Sequence, residues 1–426
     1  MILLMGWPKK IVRYMWLHGW KYRATERAHR RYVAEMGRRR PVRVVFIAMS
    51  VAMWRYQHLY ELLAADPRFD VHIVLSPSID YAPEQRAHDE ELMERYFAKR
   101  GIAVVPWTGD DHAVNIRADF DPDLLFYPQP YEHLLLPEHD CTSFYDRLIC
   151  YYPYAFWTST GKWSYDFHFH NLAWRLYYST TMHLAEARKV ATNHGRNVRV
   201  VGYPNADDFL LSDHTDVWKP QSAPCKRVVW APHYSVTAEF GLPPRSNFLW
   251  MASLMLQLAE QYRDKLQLAF KPHPRLLTEL YAHPEWGKSR ADAYYKQWET
   301  GVNTQLETGE FIDLFMTSDA MIHDSGSFAV EYHYSRRPVM FVSNDMEPIM
   351  RTQSDFGKKV YELHYIGGDE VAVCHFVDDV VIAGNDPLLD EREEFFNRYL
   401  LPPGGNSVAQ NTLDDIVESL QLSEMS

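Results

Sequence analysis

From Pro41 onward, short apolar runs of strand type alternate with stretches of helical spacing, and this alternation constrains the fold more than any other feature of the chain. "VRVVFIAM" (42–49) is followed by the helix-spaced "WRYQHLYELLAADP" (54–67), the strand-like "FDVHIVLSP" (69–77) and the charged "PEQRAHDEELMERYFAKRG". "IAVVPW", "PDLLFYPQP" and "RLICYYPYAF" continue the series. Strands separated by helical stretches of about 10–20 residues predict parallel βαβ units with helices on both faces of one sheet, a Rossmann-like domain.

The series is interrupted once. A cluster of Pro, Asp and Ser at about 205–226 marks a boundary, and the reading divides the chain into 1–40, 41–212 and 213–426. After it the alternation resumes with "RVVWAPH", the helical "SNFLWMASLMLQLAEQYRDK", "LQLAFKPHP", "AMIHD", a helix from Ser327, and "PVMFV". A chain of 426 residues, 46% hydrophobic, is long enough for two cores. The expected architecture is therefore α/β, two Rossmann-like domains facing each other across a cleft, the GT-B arrangement, preceded by a basic helix. In open α/β sheets ligands sit beyond the carboxyl ends of the strands.

The net charge of -12 conceals an asymmetry: residues 1–40 carry eleven Lys and Arg against Glu26 and Glu35, so everything after them is strongly acidic. Trp16, Trp20 and Tyr22 stand among those basic residues, a composition suited to the boundary between acyl chains and anionic headgroups. This predicts a protein of the cytoplasm, peripherally associated with the inner face of the membrane. No apolar run reaches the roughly 18 residues of a membrane span, and "MILLMGWPKK" has the wrong flanks for a secretory signal. An acidic body speaks against nucleic acid as a partner. Cys141, Cys150, Cys225 and Cys374 lack CxxC spacing and read as ordinary thiols.

Three strand ends carry the residues of chemical interest. "AMIHD" delivers Asp324, Ser325, Gly326 and Ser327 to an expected helix start, where backbone N–H groups and the helix dipole would hold a diphosphate. Glu331, four residues after Ser327, is placed to accept hydrogen bonds from ribose hydroxyls. His233 and His273 each end an apolar strand beside proline, and a neutral imidazole there could take a proton from an attacking hydroxyl. Lys271 and Arg275 flank His273 and add positive charge. His168-x-His170 has ligand spacing but no matching carboxylate cluster, so neither a metal nor a cofactor is expected.

Asp324, the Ser325–Ser327 turn, Glu331 and Pro338 have the spacing of the D-x-S-S, acid and Pro pattern of the CDP-glycerol glycerophosphotransferase family, the teichoic-acid polymerases and primases. "WAPHYSV" (230–236) resembles the family's strand-end W/Y-x-P motif, and "FKPHPRL" (270–276) its K/R-x-H-P motif. "GYPNADDFL" (202–210) is similar to its G-Y-P-R-x-D, and "FFNRYLLPPGGNSVAQNTLDDI" (395–416) to its D-G-x-A-S-x-R element. UDP-N-acetylglucosamine 2-epimerases share the D-S-G-G, acid and K-P spacing, so "FKPHP" beside "WAPH" carries the distinction.

The resemblance implies transfer of a polyol phosphate from a CDP-polyol to a polyol-phosphate or glycan acceptor, which a lipid carrier could hold, with CMP leaving. It makes His273 a residue needed for transfer. The family's second histidine, in W-H-G-T-P, has no counterpart, since Tyr152, Pro153 and Tyr154 stand there. His233 is the first candidate to replace it as base, with His58, His168 and His170 behind. A GT-B glycosyltransferase and a catalytically silent nucleotide- or polymer-binding protein are the alternatives.

Overall fold

The computed structural model describes residues 20–36, 41–107, 114–238 and 244–422. The chain forms two compact units, one comprising the residues up to Asp207 together with those from Leu401 on, the other Asp208–Leu400.

In the first unit, β1 (Val42–Ala48), β2 (Phe69–Leu75), β3 (Leu124–Tyr127), β4 (Leu148–Tyr151), β5 (Arg175–Tyr178) and β6 (Val198–Val200) form one parallel sheet, in the order β2-β1-β3-β4-β5-β6. Val44 of β1 lies opposite Val71 on one side and Leu124 on the other. All of β1 except Arg43 is buried, as expected where helices cover both faces of a parallel sheet. Val45, Ile47, Leu125, Ile149 and Leu176 pack with Phe169 and Leu172 on one face.

Of the expected basic helix, Tyr22–Met36 is helical, and the remainder of 1–40, apart from Trp20 and Lys21, lies outside the described residues. This helix packs on the first unit. Met36 is buried, His29 Nε2 meets the Tyr145 carbonyl at 3.0 Å, and the Tyr32 hydroxyl donates to Asp123 at 2.7 Å.

The carboxyl end returns to the first unit, whereas the sequence reading left it in the second. Asp415, on the helix Val408–Ser419, accepts from Arg175 Nε, Arg199 Nε and the Tyr177 hydroxyl, each at 3.0 Å. Asp207 receives the Val408 and Ala409 N–H groups at that helix's start. Gly202 is required where the chain passes this helix: its φ is +110°, and a Cβ would sit 2.7 Å from Val408 Cγ2.

In the second unit, β7 (Lys226–Ala231), β8 (Leu266–Phe270), β9 (Thr304–Leu306), β10 (Ala320–His323), β11 (Val339–Val342) and β12 (Tyr365–Gly367) form a second parallel sheet, ordered β12-β11-β10-β7-β8-β9. The helix Phe248–Gln261 returns the chain from β7 to β8 and seats Phe248 on Trp230, their rings stacked 5.6 Å apart with nearly parallel planes. β8 and β9 lie on one side of β7, and β10 to β12 on the other. The strand order therefore reverses between β7 and β10, which opens a crevice at their carboxyl ends.

The expected helix from Ser327 is absent. Two 3-10 turns, Gly326–Phe328 and Glu331–Ser335, fill the connection, and Arg336 ends the second in the left-handed region at φ 58°. Residues 329–334 are all buried, so no solvent-facing side exists for an amphipathic helix to present.

Candidate functional site

The crevice of the second unit gathers the three strand ends singled out from the sequence. β7 runs into Pro232 and His233, β8 into Lys271 and His273, and β10 into Asp324 and Ser325. The His273 N–H donates to the Pro232 carbonyl at 3.2 Å, tying the first two turns together. The rings of His233 and His273 are 5.6 Å apart. Tyr234 lies against both, 4.2 Å and 4.6 Å from their centroids, and the Arg275 guanidinium covers the Tyr234 ring at 4.0 Å.

Both imidazoles are fixed in one orientation by local chemistry. The Ser235 N–H donates to His233 Nδ1 at 3.1 Å, and the Arg275 N–H to His273 Nδ1 at 3.1 Å. With Nδ1 occupied as acceptor, the neutral ring carries its proton on Nε2 and offers a donor. Burial, then the neighbouring His273, Arg245 and Arg275, pushes the His233 pKa down to about 4. Burial and Arg275 bring His273 to about 4 as well. Both rings are therefore neutral N–H donors near pH 7. In this orientation His233 presents a donor where the role of base expected of it asks for a free lone pair.

Asp324 is buried and acts as a staple. Its carboxylate accepts the His233 N–H at 2.6 Å and the Asn247 N–H, while Asn247 Nδ2 donates to the Val342 carbonyl at 2.9 Å. Burial pushes its pKa up to about 6 against the pull of these bonds. Asp324 thus positions the β7 turn and the start of the helix Phe248–Gln261, and both carboxylate oxygens are engaged in doing so.

Ser325 is buried, and its carbonyl accepts from His323 Nδ1 at 2.8 Å. Gly326 is exposed, and a Cβ there would find nothing nearer than Tyr361 Oη at 3.8 Å, so a ligand has room against the backbone. The Ser327 side chain lies outside the described residues. Glu331 is buried at the start of the second 3-10 turn. Without an α-helix behind the turn, the dipole expected to favour phosphate is reduced to that of three residues. Lys271 donates from Nζ to the Gly309 carbonyl at 2.6 Å, and burial, opposed by Glu307, lowers its pKa to about 8. Arg275 is half exposed and pairs with Glu279 at 2.7 Å.

The other histidines are placed differently. His58 faces Glu61 at 3.9 Å on the helix Gln57–Ala65. His168 meets Glu132 at 2.9 Å, while His170 turns inward to accept the Phe167 N–H on Nδ1, so the two do not share a ligand. Among the described residues no group of three His, Cys, Asp or Glu could hold a metal ion. The four cysteines are free thiols. Tyr152 and Tyr154, where the resemblance would place a second histidine, bond Thr412 and Tyr131 through their hydroxyls. Tyr234 and Asn247 were not singled out in the sequence; the only signal for Tyr234 is its place directly after His233.

No known family profile matches the sequence, and no curated protein matches it. Solved structures do. The wall teichoic acid polymerase TagF aligns over 93% of this chain and 94% of its own, with 13% identity and a TM-score of 0.56. The S. aureus MnaA complex with UDP aligns over 90% and 98%, at 13% identity and a TM-score of 0.56. UDP-GlcNAc 2-epimerase from Neisseria meningitidis bound to UDP-GlcNAc aligns over 88% and 99%, at 11% identity and a TM-score of 0.52. These likenesses establish the fold: an α/β chain of two parallel six-stranded units, as in GT-B enzymes.

Proposed function

We propose that the protein is a transferase that moves a polyol phosphate, glycerol phosphate or a close analogue, from a CDP-polyol to a hydroxyl of a surface-polymer or glycan acceptor. The observation that carries this reading is the convergence of two imidazole Nε2–H donors and an open serine–glycine turn at the point where strand order reverses. Likeness in fold to TagF, which has also been soaked with CDP-glycerol, supports the donor class.

In this reading the acceptor oxygen bonds the β-phosphorus, the bond to the CMP oxygen breaks, and the acceptor proton passes to solvent. Phosphoryl transfer asks the protein chiefly for position and for stabilisation of charge on the phosphate oxygens. His233 and His273 supply neutral donors, Lys271 and Arg275 supply positive charge, and the Ser325–Ser327 turn supplies N–H groups. Glu331 takes the ribose and Asp324 holds the turns together.

A second reading, chemistry on a nucleotide-diphosphate sugar at the same turn, is favoured by the likeness to the UDP and UDP-GlcNAc complexes. Incubation with CDP-glycerol and with UDP- and GDP-sugars separates the two. Release of CMP supports transfer of a polyol phosphate, and release of a nucleoside diphosphate, or epimerised sugar, supports the second. Turnover of none of them leaves a protein that binds without reacting and removes both.

A further inference from the structure

Three histidines lie together in the core beneath the serine turn: His323 at the end of β10, His333 in the second 3-10 turn, and His364 just before β12. Their exposures are 1%, 0% and 4%. His364 is the centre, its ring 5.3 Å from that of His323 and 5.0 Å from that of His333.

The hydrogen bonds of His323 and His364 do not balance. His323 Nδ1 is 2.8 Å from the Ser325 carbonyl, and His364 Nδ1 is 2.8 Å from the Val360 carbonyl. Carbonyls only accept, so each Nδ1 must carry a hydrogen. The two Nε2 atoms then face each other at 3.2 Å. Three contacts need three protons, and a neutral pair has two. Either one contact opposes two lone pairs, or the pair holds an additional proton and a positive charge.

The surroundings oppose that proton. Burial is the first cause, followed for His364 by the charges of His333 and His323 and then, past the Val360 carbonyl, by that of Arg392. Arg392 is itself fully buried, paired with Asp386 and bonded to the Arg336 carbonyl. His333 has no hydrogen-bond partner at either ring nitrogen among the described residues. Tyr361 lies 5.5 Å from His364 and Phe341 5.2 Å from His323. The next residue after His323 is Asp324, whose carboxylate is spent on backbone N–H groups. Among the described residues nothing negative faces the pair directly, but its two outlets lead to the turn. His323 holds the Ser325 carbonyl, and Tyr361 borders the open side of Gly326.

We propose that His323 and His364 are a positioning pair that takes up one shared proton when a diphosphate occupies the Ser325–Gly326 turn, and that this proton locks the turn through the Ser325 carbonyl. The inference rests on the reading of that turn as a phosphate site. An anion above the pair supplies the compensating charge that the protein lacks, and the third proton satisfies the third contact. By reciprocity, what binding does to the proton, the proton does to binding.

The test is calorimetry of CDP-glycerol and of UDP-glucose binding in buffers of differing ionisation enthalpy; neither diphosphate diester titrates near neutrality. The expected result is net proton uptake that grows toward one per ligand as pH falls from about 7 to about 5, with affinity falling by up to about tenfold per pH unit as pH rises through that range. His364→Gln should bind with little uptake and a flatter pH dependence, because an amide can donate to His323 Nε2 without titrating. His233 and His273 are unchanged in that variant, so uptake that persists in it overturns the pair. If His364→Gln does not fold, nitrogen chemical shifts of the two rings in the labelled wild type decide: both must move toward imidazolium on ligand addition. Failure of both ligands to bind overturns the phosphate-site reading together with the inference; binding without proton uptake overturns the inference alone.

Discussion

Acidification should destabilise this protein through its buried histidines. Burial holds His29, His183 and His323 at pKa values of about 4, and His170 and His333 at about 3, against an unfolded value near 6.5. Between pH 6.5 and 4 the unfolded chain therefore binds more protons than the folded one, and stability falls as pH falls. At pH 5 each of these five groups costs the folded state about 2 kcal/mol, or roughly 10 kcal/mol together, comparable with the whole stability of an ordinary domain. Asp324 acts in the opposite sense. Its pKa is raised to about 6, so its proton is bound more tightly in the folded state, and acidification returns on the order of 1 kcal/mol between pH 7 and 5. The net loss stays large. Urea unfolding followed by far-UV circular dichroism from pH 7.5 to 4.5 should show the midpoint dropping steeply below pH 6. His333→Leu, at a site that is fully buried and unpartnered, should flatten the drop by about one fifth at pH 5. A midpoint constant between pH 7 and 5 would refute the reasoning.

Asp415→Ala should leave the partly buried Arg175 without its carboxylate and cost about 1–3 kcal/mol in denaturant unfolding of the first unit. Gly202→Val should cost at least about 2 kcal/mol, read as a lowered thermal midpoint, because φ is +110° and Val408 occupies the Cβ position. Removal of residues 1–19, which leaves the docked helix Tyr22–Met36 intact, should abolish sedimentation with anionic vesicles while nucleotide binding persists; a truncated protein that still pellets would place membrane affinity elsewhere.

What the sequence discloses, and what it hides, follows from the range of the interactions involved. β1, β7, β8 and β10 were legible because a parallel strand buried on both faces writes a continuous apolar run, and His233, His273 and Ser325 were legible because each stands directly after such a run. The helix expected from Ser327 was misread: "FAVEYHYS" has helical composition, but burial on every side favours two tight turns. The return of the C-terminal helix to the first unit depends on Asp415 meeting Arg175 and Arg199 more than 200 residues away, a pairing that no local pattern announces. The His323–His364 contact, 41 residues apart, is hidden for the same reason.

The tautomers of His233 and His273 were equally hidden, and they change the chemistry more than any misplaced element. Each Nδ1 accepts the N–H two residues on, and His283 does the same with Glu285 in a solvent-exposed turn at 3.2 Å. The local bond is thus ordinary turn chemistry, and only the meeting of two such turns beside the serine turn is particular to the site. That meeting presents donors where a base had been expected, and in the proposed transfer donors would stabilise phosphate charge instead of removing a proton. His273→Gln keeps an amide donor near the Nε2 position, whereas His273→Ala removes it. Under the donor assignment the glutamine variant should retain most of the turnover and the alanine variant lose about 10²–10³-fold, as for a deleted oxyanion donor. A base at this position would make the two variants equally inactive, and that result, from steady-state rates of CMP release, would return the proton to the imidazole.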